Sequence, residues 1–197
     1  IRKAKAVNKD AIVAVVGCYP QTAPDEVEGM ADVDIMIGTR DRPKILEYIA
    51  AYQAGGSKVK AVGDIMHDRG FEALKIDRYK DRTRAFLKIQ DGCSQFCAYC
   101  IIPYARGPVR SRLPGDILEE VEKLAATGFK EVVLTGIHIA SYGRDLPDMS
   151  LLKLIESIHR VEGIDRLRLG SIEPRIVTPE FADAAASLKK LCPHYHI

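Results

Sequence analysis

Apolar runs in the first third of the chain are spaced as alternating strands and helices. Residues 11–16 form a continuous, largely β-branched apolar run that ends at Gly17, which predicts a strand buried on both faces of a parallel sheet. Residues 33–37 alternate toward a second strand. A short helix is predicted from Pro24, and another over residues 43–52. The order strand, helix, strand, helix predicts a small α/β domain.

The same alternation returns from Arg84 onward with longer elements. Strands are predicted at residues 85–89, 131–135 and 166–169, and helices at 115–127, 150–160 and from an N-cap at Thr178. Residues 195–197 are expected to start a fourth strand. Strands that alternate with helices in this way predict a partial parallel β/α barrel, which places its functional residues at the carboxyl ends of the strands.

The predicted fold class is therefore α/β with two parts. We expect residues 1–56 to form a truncated, flavodoxin-like α/β domain and residues 83–197 to form part of a β/α barrel. Residues 57–82 show weak periodicity and mixed charge, and we interpret them as a linker with little regular structure. The chain starts without methionine and stops at a predicted strand, so we expect a fragment that lacks both ends.

Composition adds few constraints. The chain of 197 residues is 47% hydrophobic and 28% charged, which is typical of a soluble globular protein. A net charge of +2 indicates no global nucleic-acid signature, so RNA binding would depend on local patches. We expect no membrane segment, because no apolar run reaches spanning length. Three of the five cysteines lie in one loop, which favours a reducing cytoplasm over a disulfide framework.

That loop carries Cys93, Cys97 and Cys100 in the spacing C-x3-C-x2-C. Thiolates bind zinc or iron–sulfur clusters, and a structural zinc site needs a fourth Cys or His nearby. The next such residue is His138, in a different segment. Three thiolates suit a [4Fe–4S] cluster with one open iron, and the loop directly follows a predicted strand. A zinc-binding RNA module remains the alternative from another functional class.

With Tyr99 before the third cysteine, the loop resembles the radical S-adenosylmethionine (SAM) superfamily. Residues 89–112 are similar to the methylthiotransferases, most of all to the branch that acts on threonylcarbamoyladenosine in tRNA. The resemblance implies that the cluster cleaves SAM to a radical, which activates carbon 2 of an adenosine for methylthiolation. It also implies that Tyr99 lies near the SAM adenine, although aromatic residues taken alone are more often core. Branches that modify isopentenyladenosine or a ribosomal protein are the alternatives.

Cys18 stands in the run Val-Val-Gly-Cys-Tyr-Pro-Gln, which ends at Gln21. Taken alone, a cysteine after a buried strand is a small core residue. The run resembles the third cysteine segment of the methylthiotransferase N-terminal domain, which holds an auxiliary [4Fe–4S] cluster. The resemblance therefore implies two clusters in the intact enzyme, with the other two auxiliary ligands upstream of Ile1. Cys192 is interpreted as a core residue.

Four residues follow predicted barrel strands and are candidates for binding SAM: Gly136, His138, Ser171 and Glu173. By resemblance, the glycine turn receives the amino end of SAM, since glycine allows close approach to the backbone, and the polar groups meet its ribose or methionine part. The alternative is structural. Gly136 would then only turn the chain, His138 would bond locally, and the Ser-Ile-Glu-Pro run would cap a turn.

Arg106, Arg110 and Arg112 form a basic segment directly after the cysteine loop. Arginine pairs with phosphate and stacks on unpaired bases, so we assign these residues to binding a tRNA anticodon loop. The alternative is salt bridges to the acidic helices of the barrel. A reducing electron-donor protein is the second partner that the resemblance implies.

Overall fold

The computed structural model describes residues 1–72 and 83–197, which form two compact units. The first unit comprises Ile1–Asp68 and Ser94–Pro108, and the second comprises Arg69–Cys93 and Val109–Ile197. One boundary falls inside the cysteine loop. Cys97 and Cys100 therefore belong to the first unit, whereas Cys93 ends a segment of the second.

A parallel three-stranded sheet in the order β1–β2–β3 organises the first unit, which confirms its α/β class. Its strands are β1 (Ala14–Val16), β2 (Ile35–Ile37) and β3 (Val59–Ala61). Its helices are α1 (Arg2–Val7), α2 (Cys18–Thr22), α3 (Pro24–Glu28), α4 (Ile45–Gly55) and α5 (Ile102–Arg106). All three residues of the central strand are buried, and Met36 packs with Val27 and Val33. Gly56 ends α4 in the left-handed conformation, as glycine does at many helix ends.

Strand β3 was missed by the sequence analysis. It lies within residues 57–82, which were expected to form a linker with little regular structure. The strand is short, and Lys60 is exposed at its centre, so it has little local apolar pattern. Pairing with β2, with Val59 opposite Ile35, defines it instead. Residues 73–82 of the expected linker lie outside the described residues.

The second unit contains the predicted partial parallel barrel. Its sheet has the order β5–β4–β6–β7, from β4 (Arg84–Asp91), β5 (Arg110–Ser111), β6 (Glu131–Gly136) and β7 (Arg166–Leu169). Strands β4, β6 and β7 are parallel, and the short β5 pairs antiparallel with β4. Three helices of this unit are α6 (Pro114–Ala126), α7 (Leu151–His159) and α8 (Pro179–Ser187). The sequence analysis did not predict β5.

One apolar core joins the sheet and helices of this unit. The face of β4 that points to the core carries Ala85, Leu87 and Ile89, whereas Phe86 between them is exposed. Helices α6 and α7 add residues spaced three or four apart, as expected of amphipathic helices: Ile117, Val121, Leu124, Leu151, Leu154, Ile155 and Ile158. Cys192 is buried, in agreement with its predicted core role.

The predicted N-cap of α8 is confirmed, because the Thr178 hydroxyl accepts a hydrogen bond from the Phe181 amide at 3.2 Å. At the expected fourth strand, residues 195–197, the structure has an isolated parallel bridge of His196 with Ser171 instead of a strand. A second isolated bridge joins Leu167 and Leu191. In the part of the chain that the structure describes, no helix is long and apolar enough to cross a membrane.

Candidate functional site

Cys97 and Cys100 lie on one tight turn of the first unit. The Cys100 amide donates to the Cys97 carbonyl at 2.9 Å, and α5 begins two residues later. Such a turn keeps the Cα atoms of its first and fourth residues within about 7 Å. Just before it, Phe96 has φ of 50°, a conformation that non-glycine residues seldom adopt outside special sites. Local backbone geometry therefore brings two of the three loop cysteines together.

The donor chemistry of the loop fits an iron–sulfur cluster. All five cysteines are described and are free thiols, and Cys93, Cys97 and Cys100 are each at least partly accessible. Within residues 1–72 and 83–197, no three His, Cys, Asp or Glu side chains are grouped so that they could hold a metal ion. The assignment of the three cysteines as ligands therefore stays a prediction, supported by thiol chemistry, spacing and the turn.

Aromatic side chains surround this turn. Tyr99 is 93% exposed, so it is not a core residue, which excludes the structural alternative for it. Phe96 and Tyr104 meet edge to face with their ring centroids 5.7 Å apart, and both remain exposed. The loop thus presents aromatic surface that a flat ligand can contact. The proposed contact of Tyr99 with adenine stays a prediction.

Cys18 lies directly beyond β1, as the first residue of α2, and is half-buried. Helix α2 packs against α5, the helix that follows Cys100. The first unit therefore brings the Cys18 segment beside the segment that carries Cys97 and Cys100. The sequence analysis did not anticipate this proximity, because the two segments are almost 80 residues apart.

In the second unit, the fully buried Gln90 organises the carboxyl ends of the strands. Its Nε2 donates to the carbonyls of Asp91 at 2.7 Å and Gly92 at 2.6 Å, while its Oε1 accepts from the His138 amide at 2.7 Å. One amide thus ties the end of β4 to the turn after β6. Sequence reasoning missed Gln90, although a polar residue that ends an apolar strand run is a usable signal.

Close approach of β4 accounts for glycine at position 136. A Cβ atom there would lie 2.8 Å from the backbone oxygen of Gln90, closer than real Cβ contacts allow. This contact gives Gly136 a packing role that the sequence analysis did not consider, since the backbone of β4 occupies the space that its missing side chain leaves free. Its contact with SAM stays a prediction.

His138 links the ends of β6 and β7. Its Nδ1 lies 2.7 Å from the Ser141 hydroxyl, and its Nε2 lies 3.1 Å from Oε2 of Glu173. A neutral imidazole satisfies both contacts if Nε2–H donates to Glu173 and Nδ1 accepts from Ser141. Ser171 bonds instead to Nδ1 of His196 at 2.6 Å. The structure thus brings together two of the predicted SAM-binding residues, His138 and Glu173.

The three arginines after the loop do not form one exposed patch. Arg112 has a 5% exposed side chain, pairs with Glu120 on α6 at 2.6 Å and donates to the Asp116 carbonyl at 3.0 Å. Arg110 is also buried, and its Nη2 atom lies 3.8 Å from Oδ2 of Asp91. For both residues the structure favours the salt-bridge alternative over RNA contact, because their guanidinium groups face carboxylates in the interior. Arg106 lies in the first unit and is half-buried, so its RNA contact stays a prediction.

The Arg112 segment is further fixed by Tyr142. Its hydroxyl donates to the Arg112 carbonyl at 2.9 Å, and the ring is almost fully buried. Burial raises the pKa of Tyr142 well above its ordinary value, so the phenol remains a donor at physiological pH. Arg112 is therefore held through both its backbone and its side chain.

Comparison with known proteins identifies the family. The model of the radical SAM superfamily matches residues 87–197, more than half of the chain, and its match contains the cysteine loop and the strand ends described above. The chain belongs to the radical SAM superfamily. Membership supports a [4Fe–4S] cluster and SAM as cofactors, in agreement with the donor chemistry of the loop.

Within this superfamily, the chain is similar to enzymes that methylthiolate tRNA. The threonylcarbamoyladenosine tRNA methylthiotransferase MtaB of Bacillus subtilis is 43% identical over 198 residues, covering 100% of this chain and 44% of the relative. The Aquifex aeolicus protein of the same name is 36% identical and covers 100% and 48%. A tRNA-2-methylthio-N(6)-dimethylallyladenosine synthase of Pelotomaculum thermopropionicum is 37% identical and covers 100% and 45%. The resemblance to methylthiotransferases is confirmed, and the chain spans less than half the length of these relatives.

A solved structure supports the radical SAM fold. The radical SAM methyltransferase TsrM of Kitasatospora setae, with tryptophan and a SAM analogue bound, matches with a TM-score of 0.60. Its sequence is 19% identical, and the match covers 92% of this chain and 40% of TsrM. At this identity the similarity concerns the fold alone.

Proposed function

We propose that this chain is the cluster- and SAM-binding part of a tRNA methylthiotransferase that acts on threonylcarbamoyladenosine beside the anticodon. The observation that carries the proposal is 43% identity along the whole chain to the Bacillus subtilis methylthiotransferase of that specificity. Conversion of dimethylallyladenosine (isopentenyladenosine) is the second candidate, since a synthase of that type is 37% identical along the whole chain.

Cys93, Cys97 and Cys100 would hold one [4Fe–4S] cluster and leave its fourth iron open to SAM. When bound, this cluster supplies the electron for reductive cleavage of SAM. Within the first unit, one backbone turn carries both Cys97 and Cys100, and the exposed Tyr99 lies between them in the chain, where it would contact adenine. The loop thus combines soft ligands with an aromatic surface for the cofactor.

Residues at the strand ends of the second unit would orient SAM. Glu173 and His138 form a half-buried acid–imidazole pair, and a carboxylate in this position suits the amino group or ribose hydroxyls of SAM. The Gln90 side chain accepts a hydrogen bond from the His138 amide and so holds the backbone of His138 in place. Ser171 and the backbone beside Gly136 are the further contacts that we assign to the cofactor.

Cys18 would be a ligand of a second, auxiliary [4Fe–4S] cluster, so the enzyme carries two clusters. The packing of α2 against α5 supports this role, because it brings Cys18 toward the loop where radical chemistry starts. The substrate is the anticodon loop of tRNA, whose unpaired bases can leave the stack and enter a catalytic site. Arg106 would contact its phosphates. A reducing electron-donor protein is the remaining partner, and the cytoplasm is the proposed location.

The proposal is tested by expressing the full-length gene that contains this chain in cells lacking tRNA methylthiotransferases. Digested tRNA is then examined by mass spectrometry. Methylthiolated threonylcarbamoyladenosine is expected, and its isopentenyladenosine counterpart would favour the second candidate. Absence of both modified nucleosides would overturn the proposal.

Cys97→Ala is expected to abolish the product, because one of the three cluster ligands is lost. Cys192→Ala, which removes a buried thiol outside the loop, should retain it and serves as the matched control. Anaerobic reconstitution of both proteins checks the metal directly. The wild type and Cys192→Ala are expected to show the brown chromophore of two clusters, and Cys97→Ala should lose about half of its iron and absorbance because the auxiliary cluster remains. A colourless wild-type protein with bound zinc would indicate the zinc-binding RNA module.

A further inference from the structure

Thr39 connects the sheet of the first unit to the helix after the cysteine loop. Its side chain is buried, and its hydroxyl donates to the Ala105 carbonyl on α5. Ala105 lies five residues after Cys100, and it is 66 residues from Thr39 in the chain. A hydrogen bond between such distant and buried groups holds α5 in one position on the sheet.

Gln21 extends this connection to the Cys18 segment. It lies on α2, three residues after Cys18. Its Oε1 accepts from the Thr39 amide at 2.9 Å, and its Nε2 donates to the Gly63 carbonyl at 2.9 Å. Both ends of the amide are thus used, which fixes its orientation. Gly38 leaves the necessary room, because a Cβ atom there would collide with the Gln21 side chain.

The end of α5 is held equally closely. Gly107 has φ of 73°, and a Cβ atom there would lie 2.5 Å from the Ile65 carbonyl oxygen. Helix α5 has only five residues, too few to be stable without tertiary contacts. Its position, and with it the position of the turn that ends at Cys100, therefore depends on these contacts within the first unit.

We infer that Thr39 and Gln21 are positioning residues that fix the Cys18 segment relative to the segment of Cys97 and Cys100. The Thr39 backbone amide donates to the Gln21 side chain on α2, and the Thr39 hydroxyl donates to the Ala105 carbonyl on α5. Thr39 thus connects the two helices. The ligand roles of the cysteines rest on the proposed function, but the hydrogen bonds do not. In the two-cluster enzyme, these two residues set the geometry between the auxiliary and the SAM-binding cluster.

Hydrogen exchange in the full-length, cluster-free protein tests the hydrogen-bond path. Thr39→Val keeps the side-chain shape and removes the donor, whereas Thr39→Ser keeps the donor. Thr39→Val should raise exchange of α5 amides about fivefold, the effect of about one lost hydrogen bond on local opening. Thr39→Ser should match the wild type, and the amides of α4 should be unchanged in both variants. Unchanged α5 exchange in Thr39→Val would overturn the inference.

A spectroscopic measurement separates positioning from a local structural role. In the reconstituted and reduced full-length enzyme, Thr39→Val should change the magnetic coupling between the two clusters seen by electron paramagnetic resonance, and Thr39→Ser should restore it. Altered exchange with identical spectra would refute positioning. If Thr39→Val does not fold, Gln21→Met provides the same two measurements. Absence of the methylthiolated nucleoside in the wild type would count against the proposed function alone, since the exchange result stands without it.

Discussion

Replacing Arg112 by methionine removes the positive partner of a buried ion pair and leaves Glu120 behind. The two side chains are 5% and 17% exposed, so little water is available to solvate the remaining carboxylate. Breaking such a pair costs about 3 kcal/mol, the lower end of the range for buried pairs, because Glu120 keeps some solvent contact. The hydrogen bond to the Asp116 carbonyl is lost as well.

Thermal unfolding of the purified protein measures this cost. For a protein of this size, about 3 kcal/mol corresponds to a melting temperature lowered by about 6–12 °C. Lys123→Met is the matched control on α6, the helix that carries Glu120, since it breaks the pair of Lys123 with Glu119, in which both partners are more than half exposed. That change should cost less than about 1 kcal/mol. The double variant Arg112→Met with Glu120→Leu should recover much of the lost stability, because it removes the stranded charge.

The competing role for Arg112 predicts a different pattern. A residue that contacts tRNA phosphates would leave the melting temperature unchanged on substitution, and it would weaken tRNA binding with a shallower dependence on salt. That result would refute the assignment of Arg112 to a structural ion pair. It would restore the RNA-binding hypothesis drawn from the sequence.

Two further predictions concern the barrel strands. Gly136→Ala should lower the free energy of unfolding by about 1–3 kcal/mol in urea, since the new methyl group meets the Gln90 backbone. Gly115→Ala, at a position with open space around it, is the control and should be neutral or slightly stabilising. Equal effects of the two substitutions would argue against the close strand contact. Burial alone would raise the pKa of Glu131. Hydrogen bonds from Arg168 and Arg166 of β7 outweigh the effect of burial and hold the pKa below its ordinary value of 4.5. The stability that this carboxylate contributes is therefore present above about pH 4.5 and is lost as the pH falls through its lower folded-state pKa. Glu131→Gln should therefore make the loss of stability in acid less steep. An unchanged dependence of stability on pH would contradict this reasoning.

Several elements follow from local sequence because local interactions suffice to define them. Helix α7 has a continuous apolar stripe and the Ser150 N-cap, and the structure places it at Leu151–His159, within the predicted span. Strand β7 occupies the predicted residues 166–169. By contrast, β3 and β5 have two or three residues each, and their partners in the sheet define them. A pattern of period two is not visible over so short a run.

For the candidate site, the sequence by itself determined the chemistry that is close together in the chain. The C-x3-C-x2-C spacing predicts a loop that binds an iron–sulfur cluster, because one short segment contains all three predicted thiolate ligands. The family resemblance then added the prediction that SAM binds at this cluster. These features depend on residue type and spacing, which a linear sequence records directly.

Tertiary structure decided which of the remaining candidates lie in the interior of the protein. The sequence predicted that Arg112 binds phosphate, yet in the folded unit its guanidinium group forms a buried ion pair with Glu120. Thr39 has no motif at all, and its importance comes from a carbonyl 66 residues away. Burial and long-range hydrogen bonds determine these roles, and both arise only when distant segments pack together.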